Sequence, residues 1–394
     1  MTGAPGFDGL TAILTLLTGL AALLTAVGLA VVVAGAVAVR RFAAAGPRPT
    51  RRRPAVTVMK PLCGEEPLLD AALASICSQD YPAFQVVFGV QNEDDPALLA
   101  VRRVQRRFPA CDIAVTVNAA LHGPNRKVSN LINMMPAARH DVLVFSDSDL
   151  HVPPDYLDGI VAKLEQPEVG LVTSLCVGLP TAAGAAARLG ATGISHLFLP
   201  GALLSRALGR EDCLGTTMAL RRSTLARVGG LQSLVRHLAD DNVLAQRVRQ
   251  LGLRVGLAST VPMTAVPEAS LPALWQHEMR WARTIRALEP ALFTTSVLQF
   301  PLFWAACACV LAAGAAWSVG LFGAAWAIRA VAALCVNRWL RQGWRPAIGV
   351  PFLLLPLRDA LSVSQVVASY LGGRVVWRGH VMQADDGRSA MTGV

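Results

Sequence analysis

The sequence predicts an α/β domain built on a mostly parallel sheet and held between apolar helices that enter a membrane. Three observations carry that expectation. Residues 10–39, LTAILTLLTGLAALLTAVGLAVVVAGAVAV, hold no charge. The middle of the chain alternates Val/Ile/Phe-rich strand patterns with helical periods. Further apolar blocks occupy about 291–336 and, in broken form, 346–371. The 394-residue chain is 53% hydrophobic with a mean hydropathy of +0.46, too apolar for an ordinary soluble enzyme.

Residues 1–40 read as a transmembrane anchor. The run at 10–39 is long enough to cross a bilayer and lacks the basic start and short apolar core of a cleaved signal peptide. RRFAAAGPRPTRRR follows at 40–53, so the positive-inside rule starts the remaining chain in the cytosol. The net charge of +10 sits partly in this cluster and reads as attraction to an anionic membrane surface. No helix-turn-helix, zinc-knuckle or aromatic RNA-binding pattern supports a nucleic-acid partner.

Residues 50–270 read as the cytosolic domain. AVTVM (55–59) predicts a strand, followed by the loop KPLCGEEP and a helix over 67–78. FQVVFGV (84–90) predicts a strand ending in the acidic turn QNEDDP, then a basic helix over 97–107. IAVTV (113–117) is a third strand; a loop with HGPNR leads to a helix near 127–138 and then to the strand DVLVFS. Such strands, apolar on both faces and separated by helices, make a parallel sheet, whose ligands bind beyond the carboxyl ends of the strands. The Gly/Ala-rich stretch 182–209 reads either as an interfacial helix or as one buried on the sheet.

Residues 271–290 predict an amphipathic interfacial helix, with Trp275, Met279 and Ala282 on one face and Arg280, Arg283 and Arg286 as a basic stripe. The 291–371 region reads as the C-terminal transmembrane part. Its first block fits two helices joined by a tight turn, then basic NRWLRQGWR (337–345). The block with Pro351, Pro356, Arg358 and Asp359 is a third crossing or a re-entrant piece. Three crossings would leave the Arg-containing RVVWRGH of the 372–394 tail outside, against the charge rule. The eight cysteines include no Cys-x-x-Cys; they fit packing residues of a reduced domain, and a zinc site is not expected.

Chemistry concentrates at strand ends. In FSDSDL, the spacing puts Asp147 and Asp149 on one face of an extended strand end. Two hard oxygen donors there suit Mg²⁺ or Mn²⁺ carrying a diphosphate, although a lone Asp-x-Asp is more often a turn. QNEDD (91–95) is either a solvated turn or a carboxylate for a uracil or ribose. Lys60 and Gly64 close the first strand around a loop suited to a base. Lys127, at a helix start, favours a phosphate or sugar oxygen. Asp240 and Asp241 open a helix within 237–252; one suffices as N-cap, leaving the other to deprotonate an acceptor hydroxyl. Arg280 and Trp281 either sit at the headgroup interface or line the site, with Arg on the diphosphate.

Taken in order, KPLCG, QNEDD, PNRKVSNL, DSD, ADD and HEMRW make residues 50–290 resemble the membrane glycosyltransferases of the ceramide glucosyltransferase family (family 21), within the inverting family 2-like group. The resemblance implies a GT-A nucleotide-diphospho-sugar transferase (Rossmann-like) domain with N- and C-terminal transmembrane helices. It also implies a UDP-sugar donor, a membrane lipid acceptor and Mg²⁺ or Mn²⁺. The family's D, D, D, (Q/R)xxRW pattern falls on Asp95, Asp147, Asp241 and HEMRW (277–281). It assigns Asp95 to the nucleotide, Asp147 with Asp149 to the metal-diphosphate, and Asp241 to the base. Lys127 and Asn130 match a further shared stretch on the donor side. His196, in GISHLF, and Cys213, in DCLGTTM, match positions shared with the eukaryotic enzymes and are expected, with His277, on the acceptor side. Two residues depart from the pattern: His277 stands where Gln or Arg is usual, and Cys63 replaces a residue often basic.

The composition looks bacterial, and the chain is similar to hopanoid-associated glycosyltransferases. That similarity implies transfer of N-acetylglucosamine to a polyhydroxylated hopanoid, with ceramide glucosylation from UDP-glucose as the competing assignment. The expected place is a bacterial inner membrane, multi-pass, with the catalytic domain cytosolic. A processive polysaccharide synthase shares these motifs but needs more than the roughly four candidate crossings here. A non-catalytic nucleotide-sugar-binding scaffold would tolerate loss of the carboxylates, and all are present.

Overall fold

A computed structural model of the chain describes residues 5–46, 52–340, 352–377 and 380–383. After the helix α1 (Pro5–Ala45) the sheet domain begins with β1 (Val56–Pro61), α2 (Leu69–Cys77), β2 (Phe84–Val90), α3 (Ala97–Arg107), β3 (Asp112–Val117), α4 (Arg126–Met134) and β4 (Val142–Ser146). It continues through β5 (Leu150–His151), α5 (Tyr156–Leu164), β6 (Val169–Thr173), β7 (Val177–Pro180), α6 (Ala185–Gly193), α7 (Leu199–Ala207), β8 (Thr217–Arg221), α8 (Arg222–Arg227), α9 (Asp240–Gln250), β9 (Arg254–Leu257) and β10 (Met263–Val266).

Seven strands form the main sheet in the order β3-β2-β1-β4-β8-β6-β9. All pairs are parallel except those of β8 with β4 and β6. Alternate residues of each strand serve opposite layers. Val58, Phe88 and Val144 pack with Leu73, Val101 and Ile160 on one face. Met59, Val87 and Phe145 pack with Leu131, Leu244 and Val248 on the other. Removing each such side chain from water contributes about 1.5–3 kcal/mol, which is why these strands read as unbroken apolar runs. Chain direction across the sheet reverses between β1 and β4, and the crevice at such a reversal is where open α/β sheets bind ligands. A second sheet, β5-β10-β7, lies beside it and pairs β10 antiparallel with β5 just after the Asp-x-Asp turn.

The remaining helices are α10 (Leu271–Leu288), α11 (Pro290–Thr295), α12 (Pro301–Leu311), α13 (Ala316–Trp339) and α14 (Leu355–Ser369), followed by the hairpin β11 (Arg374–Trp377) and β12 (His380–Gln383). Gly9–Ala45, Ala316–Trp339 and Phe352–Ser369 are long and apolar enough to cross a membrane, and Pro290–Gln299 with Pro301–Leu311 forms a pair bent by 63°. The predicted tight turn between two helices falls at 312–315. α1 approaches its neighbours closely through glycine: a Cβ at Gly28 would lie 2.8 Å from Leu298 O.

The stretch 182–209 forms α6 and α7 joined by a π-helical turn, Ile194–Phe198. Its first helix packs on the second sheet, where Ala187 and Ala191 share a cluster with Val266. Leu199 and Leu203 pack with Ala36, Val39 and Val336 of the membrane helices as well as with Leu175 of the sheet domain. The basic stripe expected on α10 does not all face headgroups: Arg283 donates to Arg374 O and Arg286 to Gly372 O. The start of the tail therefore lies against α10. Phe42, Trp339 and Leu340 share a cluster with Leu257 and Val261 of the sheet domain. Residues 341–351 and 384–394, with parts of the basic stretch and tail, lie outside the described residues.

Candidate active site

The carboxyl ends of β1 and β4 build the charged corner. Lys60, the penultimate residue of β1, is 0% exposed. Its Nζ donates to Asp147 O at 2.6 Å and Leu150 O at 3.3 Å, fixing the turn that carries both aspartates. These bonds place the ammonium beneath the turn. Burial pulls it down to about 8 against the pull of Asp149 and Asp147.

Asp147 Oδ1 pairs with Lys127 Nζ at 2.6 Å, and Lys127 also donates to Gly215 O at 2.9 Å. Burial lowers the Lys127 pKa, but Asp147, Asp240 and Asp241 outweigh it and hold the ammonium above the usual lysine range. Asp149 Oδ2 accepts from Thr264 Oγ1 at 2.6 Å, a residue delivered by β10. Burial and then Asp147 push the Asp149 carboxyl up to about 6.

Each aspartate keeps one oxygen clear of these contacts. Among the described residues no group of three or more His, Cys, Asp or Glu side chains could hold a metal. That donor set fits a small hard cation that takes one or two carboxylates and completes its shell with phosphate oxygens and water.

Asn125 caps α4, accepting from Val128 N at 3.0 Å, and its Nδ2 reaches His237 O at 2.9 Å and Asp240 Oδ1 at 3.3 Å. It thereby ties the start of α9 to the start of α4. The N-cap of α9 is Ala239, so the capping role expected of Asp240 or Asp241 belongs to neither. Asp240 is 7% exposed, and burial raises its pKa against the pull of Lys127. Asp240 Oδ2 has no hydrogen-bond partner among the described residues. Asp241 is only partly buried. Burial and its neighbour Asp240 push it up to about 6. A Cβ at Gly215 would lie 3.0 Å from Asp241 Oδ2, so a side chain there would crowd the carboxylate. Lys127, Asp147, Asp240 and Asp241 thus form one electrostatic cluster.

Asp95 stands at the neighbouring strand end. Its carboxylate accepts from Gly64 N at 2.9 and 3.1 Å and from Ala97 N at 2.9 Å, joining the β1 loop to the start of α3. Asn130 is 3% exposed and donates to Gly89 O at 2.8 Å, which places it under β2. Cys213 is 5% exposed within the core beside Leu171 and Met218; burial, then Asp241, pushes its thiol up. His196 is 3% exposed, facing the membrane helices.

The last motif lies along α10. His277 Nδ1 pairs with Glu268, just beyond β10, and its Nε2 lies 3.3 Å from Arg280 Nη2. The His277 and Trp281 rings are 4.4 Å apart, and Trp281 is 37% exposed. Glu278, one residue on, points the other way and binds Arg358 of α14 at 2.8 and 2.9 Å. Sequence reasoning missed Asn125, Thr264, Glu268 and Arg358 as site supports. Only Asn125 carried a local signal, an N-cap residue ahead of a helix.

The profile of glycosyl transferase family 21 matches residues 20–390. The chain belongs to this family. It is 25% identical over 249 residues to ceramide glucosyltransferase 1 of Caenorhabditis elegans, covering 62% of this chain and 53% of that protein. It is 28% identical over 287 residues to an N-acetylglucosaminyltransferase of Rhizobium meliloti (strain 1021), covering 65% and 64%. The chain thus spans about half the length of the ceramide glucosyltransferases it matches. A mannosyltransferase from Pyrobaculum calidifontis, solved with GDP-Man and Mn²⁺, superposes with a TM-score of 0.51 at 23% identity over 90% of this chain and 99% of that one. The family 21 chain has the GT-A-like fold that its motif order implies.

Proposed function

We propose that this family 21 chain is an inverting hexosyltransferase that moves a sugar from a UDP-sugar to a hydroxyl of a membrane lipid. One observation carries the reading: Asp241, partly open and held up to about 6, shares a corner with the Lys127–Asp147 pair. A carboxylate so tuned is ionised at neutral pH yet basic enough to take a proton. The acceptor oxygen attacks the anomeric carbon, its proton passes to Asp241, and the carbon–oxygen bond to the diphosphate breaks. Lys127 offsets charge on the departing diphosphate from one side, and Arg280, steadied by His277, from α10. Asp147 and Asp149 would hold Mg²⁺ or Mn²⁺, which supplies further charge neutralisation to the leaving group. Asp95 acts on the nucleotide by shaping the Gly64 loop, and Trp281 offers an apolar face at the rim. The candidate spans and the family assignment support a lipid acceptor presented from the membrane.

UDP-N-acetylglucosamine and a polyhydroxylated hopanoid are the favoured pair, in keeping with the bacterial N-acetylglucosaminyltransferase among the relatives. Ceramide glucosylation is the second reading, favoured by the ceramide glucosyltransferase matches. The test incubates purified full-length chain with UDP-N-acetylglucosamine or UDP-glucose, and with bacteriohopanetetrol or ceramide. Products are identified by mass. A glycosylated lipid with inverted anomeric configuration is expected; a polymer, or no product with any pair, overturns the reading.

A further inference from the structure

In the transfer described above, the proton acceptor and the cation that meets the departing diphosphate arrive on different helices. Lys127 is the second residue of α4, and Asp241 is the second of α9. The start of α9 has no cap of its own: Ala239 stands there and makes no side-chain cap bond. Asn125 supplies the hold from outside. Its Oδ1 accepts from Val128 N at 3.0 Å and caps α4. Its backbone N donates to Val235 O at 3.0 Å, and its Nδ2 donates to His237 O at 2.9 Å and Asp240 Oδ1 at 3.3 Å. Asn125 is 0% exposed, so bulk water does not compete for these bonds. The two loops meet closely beside it: a Cβ at Gly123 would lie 2.9 Å from Val235 Cγ1. Aspartate caps a helix as well as asparagine does but offers no donor. The amide therefore adds what the cap alone does not need.

We propose that Asn125 is a positioning residue for the transfer step: by holding the two helix starts together, it sets the distance between Asp241 and Lys127. The base must meet the acceptor hydroxyl on the side of the anomeric carbon away from the diphosphate that Lys127 faces. A change in that distance spoils the line of attack, and a misplacement of about 1 Å can cost about 10²-fold. Asp240 gains a task as well, as the handle by which α9 is held. The kinetic consequence rests on the transfer reading above; the tie between the two helices does not.

Asn125→Asp tests it. The carboxylate keeps an oxygen for Val128 N, so α4 stays capped, but it turns an acceptor toward His237 O and Asp240 Oδ1. Full-length parent and variant are compared in detergent by UDP binding with Mn²⁺, by amide hydrogen exchange, and by turnover with the productive pair from the panel above. Turnover is counted per UDP-binding site, which leaves unfolded protein out. Amides 240–244 should exchange faster in the variant. Turnover per site should fall about 10²-fold, with donor KM and UDP affinity held within about threefold. Asn125→Ser, which also caps α4 and drops the amide, serves if Asn125→Asp fails to fold. Unchanged exchange over 240–244, unchanged turnover per site, or a loss confined to donor KM overturns the proposal. A parent that transfers no sugar to any lipid removes the transfer reading, and exchange alone then decides the tie.

Discussion

Two of the buried charge clusters among the described residues differ in closure. On the membrane side, Arg358 binds both oxygens of Glu278, and its Nη2 reaches Ser362 at 3.0 Å and Gln365 at 3.1 Å. Gln365 returns to Glu278 at 2.6 Å. At the sheet end, the four carboxylates of Asp147, Asp149, Asp240 and Asp241 face the two ammonium groups of Lys60 and Lys127. Asp240 Oδ2 has no partner among the described residues. A closed network fixes one geometry, because breaking any member strands a buried charge. An open one keeps unmet charge and shifted acids ready for a ligand. The first cluster bolts α10 to α14; the second is where chemistry is proposed.

The largest expected effect breaks the open cluster. Asp241→Asn should lower turnover about 10²–10⁴-fold, the usual contribution of a positioned base, while UDP still binds. In the parent, turnover should fall as pH drops through about 6, where Asp241 takes up a proton. The same raised pKa has a stability consequence of definite sign. Between about pH 4, the ordinary carboxylate range, and pH 6, the native state holds more protons than the unfolded chain. Stability therefore falls as pH rises through that window, and ionised Asp241 is a burden above it. Asp241→Asn should melt no lower than the parent at pH 7.5. A variant keeping more than about a tenth of turnover would place the base elsewhere.

Breaking the closed cluster should act on folding. Arg358→Met strands Glu278 and should destabilise by about 3–5 kcal/mol, whereas Arg358→Met with Glu278→Leu should recover much of that. Thermal unfolding in detergent reads both. A single variant that melts like the parent would mean that the network does not hold α10, and the contrast between the clusters would fail.

How much of this was legible depended on how local each cause was. Phe84–Val90 and Ala97–Arg107 were readable to the residue because period and punctuation are properties of short windows. The antiparallel insertion of β8 between β4 and β6 was not, since strand order is fixed by long-range packing. The carboxylates of the site stood out as motifs. Their partners did not: Thr264 reaches Asp149 from 115 positions away, and nothing around it marks that task. Lys60 was visible as a cation at a strand end, but only the fold shows it turned under the aspartates.

The smallest expected effect lies on α10, which carries Glu278 of the closed cluster. His277 stands between Glu268 and Arg280 and packs at 4.4 Å on Trp281. Glutamine, the commoner family residue by resemblance, can donate to Glu268 and accept from Arg280 at once. What His277→Gln loses is the ring contact, worth about 0.5–1.5 kcal/mol. Donor KM should therefore rise less than about tenfold, with Asp241-dependent pH behaviour unchanged. His277→Ala loses the polar bridge as well and should be the worse variant in donor KM. Equal kinetics for the two would assign the position to the ring alone, and Arg280 would then owe its placement to other contacts than the bridge from Glu268.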